Sequence, residues 1–207
     1  MNRKIILFIN TYQHRGGAAS AAWRMFSALR DADYPVRHLS LYGRERSESV
    51  QYIFQENGLL HRVHLFIRAV LHLLMIIRFP QRRRVKFSYD YSVADVLRHE
   101  WVDESDMLFL HWVNDGFVST DIAKEMAQKK TVLWFLHDMN PLTGGCHYSL
   151  GCTGYTSDCA NCGILQVVDC KLSKKGFAKK KDINGISYIG ASGWIENIFR
   201  RSELSRW

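Results

Sequence analysis

Apolar positions along this chain fall in short runs separated by polar, glycine-bearing stretches. The spacing within the runs switches between continuous or alternating positions and a three-to-four-residue period. Residues 5–9 form an unbroken apolar run rich in β-branched side chains, which predicts a buried strand. Residues 10–17 are polar and end in Gly16-Gly17. Residues 18–29 then carry Ala19, Trp23, Phe26 and Leu29 at helical spacing, with Ala22 and Met25 beside them. Residues 35–41, with Val36, Leu39 and Leu41, predict a second strand, and residues 107–113 and 131–137 predict two further buried strands joined by a helix over 120–129. A last strand is expected over 187–191 and the start of a helix over 194–200. Strands alternating with helices imply an α/β domain, a Rossmann-like parallel sheet with helices on both faces.

The most apolar segment is a helix over 59–77. Its polar positions His61, His64, Arg68 and His72 are three, four and four residues apart, so they form one narrow stripe. A basic run follows: Arg78, Arg82, Arg83, Arg84 and Lys86. A membrane span needs about 20 apolar residues with few or no charges, and Arg62 and Arg68 interrupt this one. Two compatible readings remain. The helix is a core helix of the Rossmann-like layer, or it also touches an anionic membrane surface, with the arginines meeting headgroups.

Composition narrows the class. Of 207 residues, 47% are hydrophobic and 23% charged, as in globular rather than disordered chains, and three prolines leave no room for a proline-rich linker. The length suits one domain with extras. A formal net charge of +8 favours acidic partners: nucleic acid, an anionic membrane or a phosphorylated substrate. Met1-Asn2-Arg3-Lys4-Ile5 runs into the first strand without a signal-peptide pattern, so the expected location is cytoplasmic, with the inner membrane surface as a peripheral site. Five cysteines in a reducing compartment are not a disulfide framework. The six lysines of residues 171–181 read as an exposed, solvated stretch.

Three places carry candidate chemistry. The Gly16-Gly17 loop between a strand and a helix N-terminus is an anion-binding arrangement or simply a tight turn; it lacks the dinucleotide fingerprint. His111-Trp112-Val113-Asn114-Asp115-Gly116 and His137-Asp138 follow buried strands, where ligands of open α/β sheets bind. Each histidine taken singly reads as a backbone partner, and two at equivalent strand ends read as a site. Cys146, Cys152, Cys159 and Cys162, with His147 among them, have irregular spacing that ends in a C-x2-C pair. They read as a structural zinc site or as reduced thiols, with Cys170 outside the set.

These residues resemble a known group. Gly16-Gly17-Ala18-Ala19 with Ala22 and Arg24, Leu110-His111-Trp112-Val113-Asn114 with Gly116-Phe117, and Leu136-His137-Asp138-Met139 through Thr143-Gly144-Gly145-Cys146-His147-Tyr148-Ser149 and the trailing cysteines are similar to segments of bacterial group-1 (family 4) glycosyltransferases of exopolysaccharide, colanic acid and lipopolysaccharide biosynthesis. The likeness runs in order over almost the whole chain. Asn140 and Gly163 stand where that group usually has Trp and Pro.

The resemblance implies a GT-B fold of two Rossmann-like domains. Residues 1–207 would be the N-terminal, acceptor-side domain with a cysteine-rich insertion over 144–170, and the C-terminal nucleotide-sugar domain with its E-x7-E motif would be absent. It implies a retaining transfer from a nucleotide-sugar to a lipid-linked or polysaccharide acceptor, with the lone domain inactive. His137 and Asp138 would be catalytic. Gly16, Gly17, His111, Asn114 and Gly116 would bind substrate. No catalytic metal is expected, so a zinc would be structural. Glu48 and Glu56 show the E-x7-E spacing by chance, ahead of the strand at 107. A zinc-stabilised nucleic-acid-binding protein and a non-catalytic subunit of a polysaccharide assembly complex are the competing classes. The basic residues split between 78–86 and 171–181, so no nucleic-acid partner is expected.

Overall fold

The computed structural model describes residues 4–206; residues 1–3, read above for a targeting segment, and residue 207 lie outside it. The strands are β1 (Ile6–Tyr12), β2 (Val36–Gly43), β3 (Val50–Gln55), β4 (Met107–Leu110), β5 (Thr131–Leu136) and β6 (Ile186–Gly190). The helices are α1 (Gly17–Asp31), α2 (Leu59–Arg78), α3 (Glu100–Glu104), α4 (Thr120–Lys129), α5 (Lys171–Lys181) and α6 (Gly193–Arg201). One six-stranded sheet has the order β3-β2-β1-β4-β5-β6, and every neighbouring pair is parallel. This is the Rossmann-like α/β architecture that the alternation predicts.

The continuous apolar runs are explained by burial on both faces of a parallel sheet. Leu7, Ile9, Leu39, Leu108, Leu110, Val132 and Trp134 point to one face, under Trp101 and Val102 of α3 and Ala123 and Met126 of α4. Phe8, Val36 and Phe109 point to the other, under Trp23, Phe26 and Leu29 of α1. A smaller core of Leu136, Met139, Leu142, Tyr155, Phe177 and Ile195 ties α5, α6 and the cysteine-rich segment to the end of β5.

Three expectations need correction. β3 and the short α3 are additional to the predicted elements; β3 is a half-buried sheet edge, so its apolar signal is weak. Residues 171–181 form helix α5 rather than a solvated stretch: Ser173, Phe177 and Lys180, spaced four and three apart, are buried while most of the remaining lysines face outward. Helix α2 is not a core helix. Only 17% of its most apolar window is buried, and eleven large apolar side chains are exposed, from 40% at Leu65 to 76% at Leu59.

The reason is polarity. The polar stripe turns inward, and its residues find partners there. His64 bonds the Tyr42 hydroxyl and, at 2.9 Å, the Tyr91 hydroxyl. Arg68 pairs with Asp115 at 2.7 Å and donates to the Tyr12 hydroxyl at 2.8 Å. His61 accepts from the Asn57 N–H at 2.8 Å. His72 alone of the predicted stripe falls on the exposed side.

Candidate functional site

The strand order reverses between β1 and β4, and their following loops leave on opposite faces. Three bonds lock these loops together: the Thr11 N–H donates to the Trp112 carbonyl (2.9 Å), the Trp112 N–H to Asn10 Oδ1 (2.9 Å), and the Thr11 hydroxyl to the Asn114 carbonyl (2.7 Å). In open α/β sheets the ligand crevice lies outside such a switch point. Side chains alternate across the sheet, so the predicted site residues divide into two groups.

On the α1 face, His111 and His137 meet, Nδ1 to Nε2, at 3.0 Å. His111 is buried and stacks on Phe8 and Phe135, while His137 is half-buried at the rim. Burial, with His137 and His38 alongside, lowers the His111 pKa to about 3. Burial also lowers that of His137, against the pull of Asp138. Both rings are therefore neutral near pH 7: one nitrogen donates, the other accepts, and His137 is poised as a hydrogen-bonding rather than cationic group. Beneath α1, both ring nitrogens of His38, the Ser40 hydroxyl and His111 Nε2 are buried without a partner among the described residues, a costly arrangement in an apolar surround. Gly16 and Gly17 precede and begin α1. Gly16 has φ 93°, which glycine alone adopts readily, and both are exposed with open space around them.

On the opposite face, Asp138 anchors a chain of bonds. Its Oδ2 accepts from Trp112 Nε1 (2.9 Å) and pairs with His147 Nδ1 (2.6 Å), and its Oδ1 accepts from the Asn140 N–H (2.8 Å). His147 Nε2 in turn meets the Ser88 hydroxyl at 2.8 Å. Burial pushes the Asp138 carboxyl up, but the bonds from His147, Asn140 and Trp112 outweigh it and hold the pKa below the usual carboxylate value. Asp138 is thus a fixed anion that orients Trp112 and His147, with its acceptors turned inward.

Ser88 lines a cavity of about 240 Å³ together with Asn114, Gly116, Asn140 and Lys180. Lys180 is buried and donates to the Asn140 and Thr143 carbonyls at 2.5 and 2.9 Å; burial lowers its pKa to about 8. Gly116, with φ 84°, leaves no room for a Cβ, which would lie 2.7 Å from Tyr91 and 2.8 Å from His64. Gly144 is needed for a different reason: a Cβ there would lie 2.2 Å from the Ser173 carbonyl of α5.

Asp115, with φ 58°, holds both Arg68 (2.7 Å) and Lys86 (3.0 Å). Asp115, Lys86, Ser88 and Lys180 were not singled out from the sequence as site residues. The available signals were Asp115 beside a glycine and Lys86 at the end of the basic run. Nothing local marks Ser88, which reaches His147 across 59 residues of chain.

Cys146, Cys152, Cys159 and Cys162 line one small cavity of about 20 Å³, and Cys170 does not. All five cysteines are free thiols. The Leu165 N–H points at Cys162 Sγ (3.4 Å). Burial raises the Cys146 and Cys159 thiols to about 11 and about 12, so without a cation they are protonated near pH 7. Among the described residues, no three His, Cys, Asp or Glu side chains are already grouped closely enough to hold an ion. Four cysteines are the donor types of a tetrahedral thiolate site, but here they share a cavity without converging on one point. No protein-family model, curated protein or solved structure matches the chain.

Proposed function

We propose that this chain is the acceptor-side domain of a retaining glycosyltransferase, which moves a sugar from a nucleotide-sugar to a lipid-linked or saccharide acceptor. The observation that carries the reading is the His111–His137 pair at the carboxyl ends of β4 and β5, beside the switch point of the sheet. The resemblance of Gly16-Gly17-Ala18-Ala19 and of the segment from His137 to Ser149 to group-1 glycosyltransferases supports it.

In this reading His137, half-buried and neutral, holds the transferred sugar by a hydrogen bond that strengthens as charge develops at the anomeric carbon. His111 fixes its tautomer and ring plane. Asp138 positions Trp112 and His147 rather than touching the sugar. A second domain bearing an E-x7-E motif grips the nucleotide; Glu48 and Glu56 do not supply it, because they flank β3 and Glu56 pairs with Arg44 at 2.8 Å. The four thiols would hold a structural zinc that braces the 144–170 segment.

The test is to join the chain to the donor domain of a group-1 glycosyltransferase and follow label from nucleotide-sugar to acceptor. Transfer by the folded fusion and none by the 207-residue chain is the expected result, because orienting donor against acceptor supplies much of the rate. A folded series of such fusions with no transfer would refute the reading.

A further inference from the structure

Helix α2 is inverted with respect to an ordinary surface helix: His61, His64 and Arg68 of its polar stripe are bonded to the domain and its apolar side faces outward. The outward side carries Leu59, Phe66, Leu73, Leu74 and Ile77, exposed by 53–76%. A continuous apolar face of this length on a lone globular chain marks an interaction surface.

Charge indicates what covers it. Arg62, Arg78 and Arg84 stand exposed on the helix or just after it, while the exposed Arg83 donates to the Leu150 carbonyl at 2.9 Å. Between α2 and residues 82–91 runs a groove of about 690 Å³, lined by Arg68, Arg82, Arg84 and Lys86; among the described residues Asp115 is the one carboxylate lining it. We infer that α2 lies in the plane of an anionic phospholipid bilayer, its apolar face among the acyl chains and its arginine collar on the phosphates.

Each alternative meets a physical objection. A spanning orientation would pull His61, His64 and Arg68 from their bonds to the domain into hydrocarbon. A symmetric second copy would set the arginine collar against itself, since the same patch serves both partners. An in-plane helix keeps its polar side on the protein and its apolar side in lipid. Because Arg68 binds Asp115, only the thickness of the helix, about 10 Å, would separate the bilayer from the loop after β4.

The proposal does not depend on sugar transfer, and its test contains no donor or acceptor. The whole chain is floated with vesicles of phosphatidylcholine alone or mixed with phosphatidylglycerol. Phe66→Glu/Leu73→Glu and Arg82→Ala/Arg83→Ala/Arg84→Ala variants are compared, with circular dichroism and gel filtration of each. The expected result is salt-sensitive flotation with the anionic vesicles. Loss of the three arginines should weaken it by on the order of 100-fold, and the Glu pair should abolish it without changing the circular dichroism. Absence of flotation with anionic vesicles, or unchanged flotation of the folded Glu variant, overturns the proposal. So does a dimer that the Glu variant converts to monomer while neither protein floats, which would assign the face to a second copy.

Discussion

His111 Nδ1 and His137 Nε2 share a hydrogen bond of 3.0 Å across the ends of two adjacent strands. Both pKa values are lowered, so the pair holds a single proton between the rings at neutral pH. Imidazole NMR signals should show His111 unprotonated down to the neighbourhood of its value of about 3, and His137 titrating below 6.5. A His137 midpoint above its ordinary value would contradict the neutral pair.

Acid should destabilise the fold before its carboxylates titrate. His38 and His64 are lowered to about 4 and His111 to about 3, chiefly by burial. Unfolded histidines take up protons near pH 6.5 while these three do not, so stability is fully present above that pH and falls below it. The fall is at most about 1.4 kcal/mol per pH unit for each of His38 and His111 until the folded value is reached, and smaller for His64, whose surroundings are less fully desolvated. Urea unfolding across this range measures the slope, and a flat profile would count against the buried neutral rings.

The unpartnered nitrogens of His38 lead to a separate expectation. His38→Leu removes two orphaned polar atoms from an apolar surround of Trp23 and Phe26. It should stabilise the chain by roughly 1–2 kcal/mol at neutral pH and flatten the acid slope. Thermal unfolding of the variant at two pH values checks both, and a loss of stability would mean that the nitrogens are satisfied.

Asp138 is lowered, so its contribution has the opposite form to an up-shifted acid: it is present above the ordinary carboxylate pKa and lost as pH falls through the folded value. Asp138→Asn keeps the shape but removes the charge facing His147 and Trp112, and should cost roughly 2–3 kcal/mol. Ser88→Ala, at the far end of the same chain of bonds, should cost about 1 kcal/mol. Denaturant melts of the singles and the double give the coupling, and full additivity would mean that no linked network exists.

If the four thiols hold zinc, elemental analysis of chain purified without chelator gives about one ion per molecule. Chelator should then lower the melting temperature and expose Cys146, Cys152, Cys159 and Cys162 to thiol reagents. Metal-free chain with an unaltered melt in chelator would leave the segment held by packing alone.

The parallel sheet was legible because β1 and β4 are buried on both faces and β5 is buried on one and half-buried on the other, which writes unbroken apolar runs into the sequence. The pairing of His111 with His137 was legible in that each immediately follows such a run, at the ends of two neighbouring strands. The inversion of α2 was not, because a hydrophobic period fixes a stripe without saying which side faces the core. There the decision lay with Tyr42, Tyr91 and Asp115, distant in sequence, which bond the polar stripe. Lys180 was misread for a related reason: a lysine among lysines looks solvated, and only the turn at 140–143 supplies the carbonyls that bury it. Asp138 and His137 are neighbours in sequence but serve opposite faces, a division that strand alternation implies and that one shared crevice does not.

The most direct measurement is the transfer rate of the donor-domain fusion with and without His137→Ala, with the melting temperature taken on both. The account predicts a loss of kcat of at least about 100-fold, as for removal of one preorganised donor to a developing charge, with the fusion still folded and its stability lowered by no more than about 1–3 kcal/mol, the cost of leaving His111 Nδ1 without its partner. A folded His137→Ala fusion that transfers sugar as fast as its parent would contradict it.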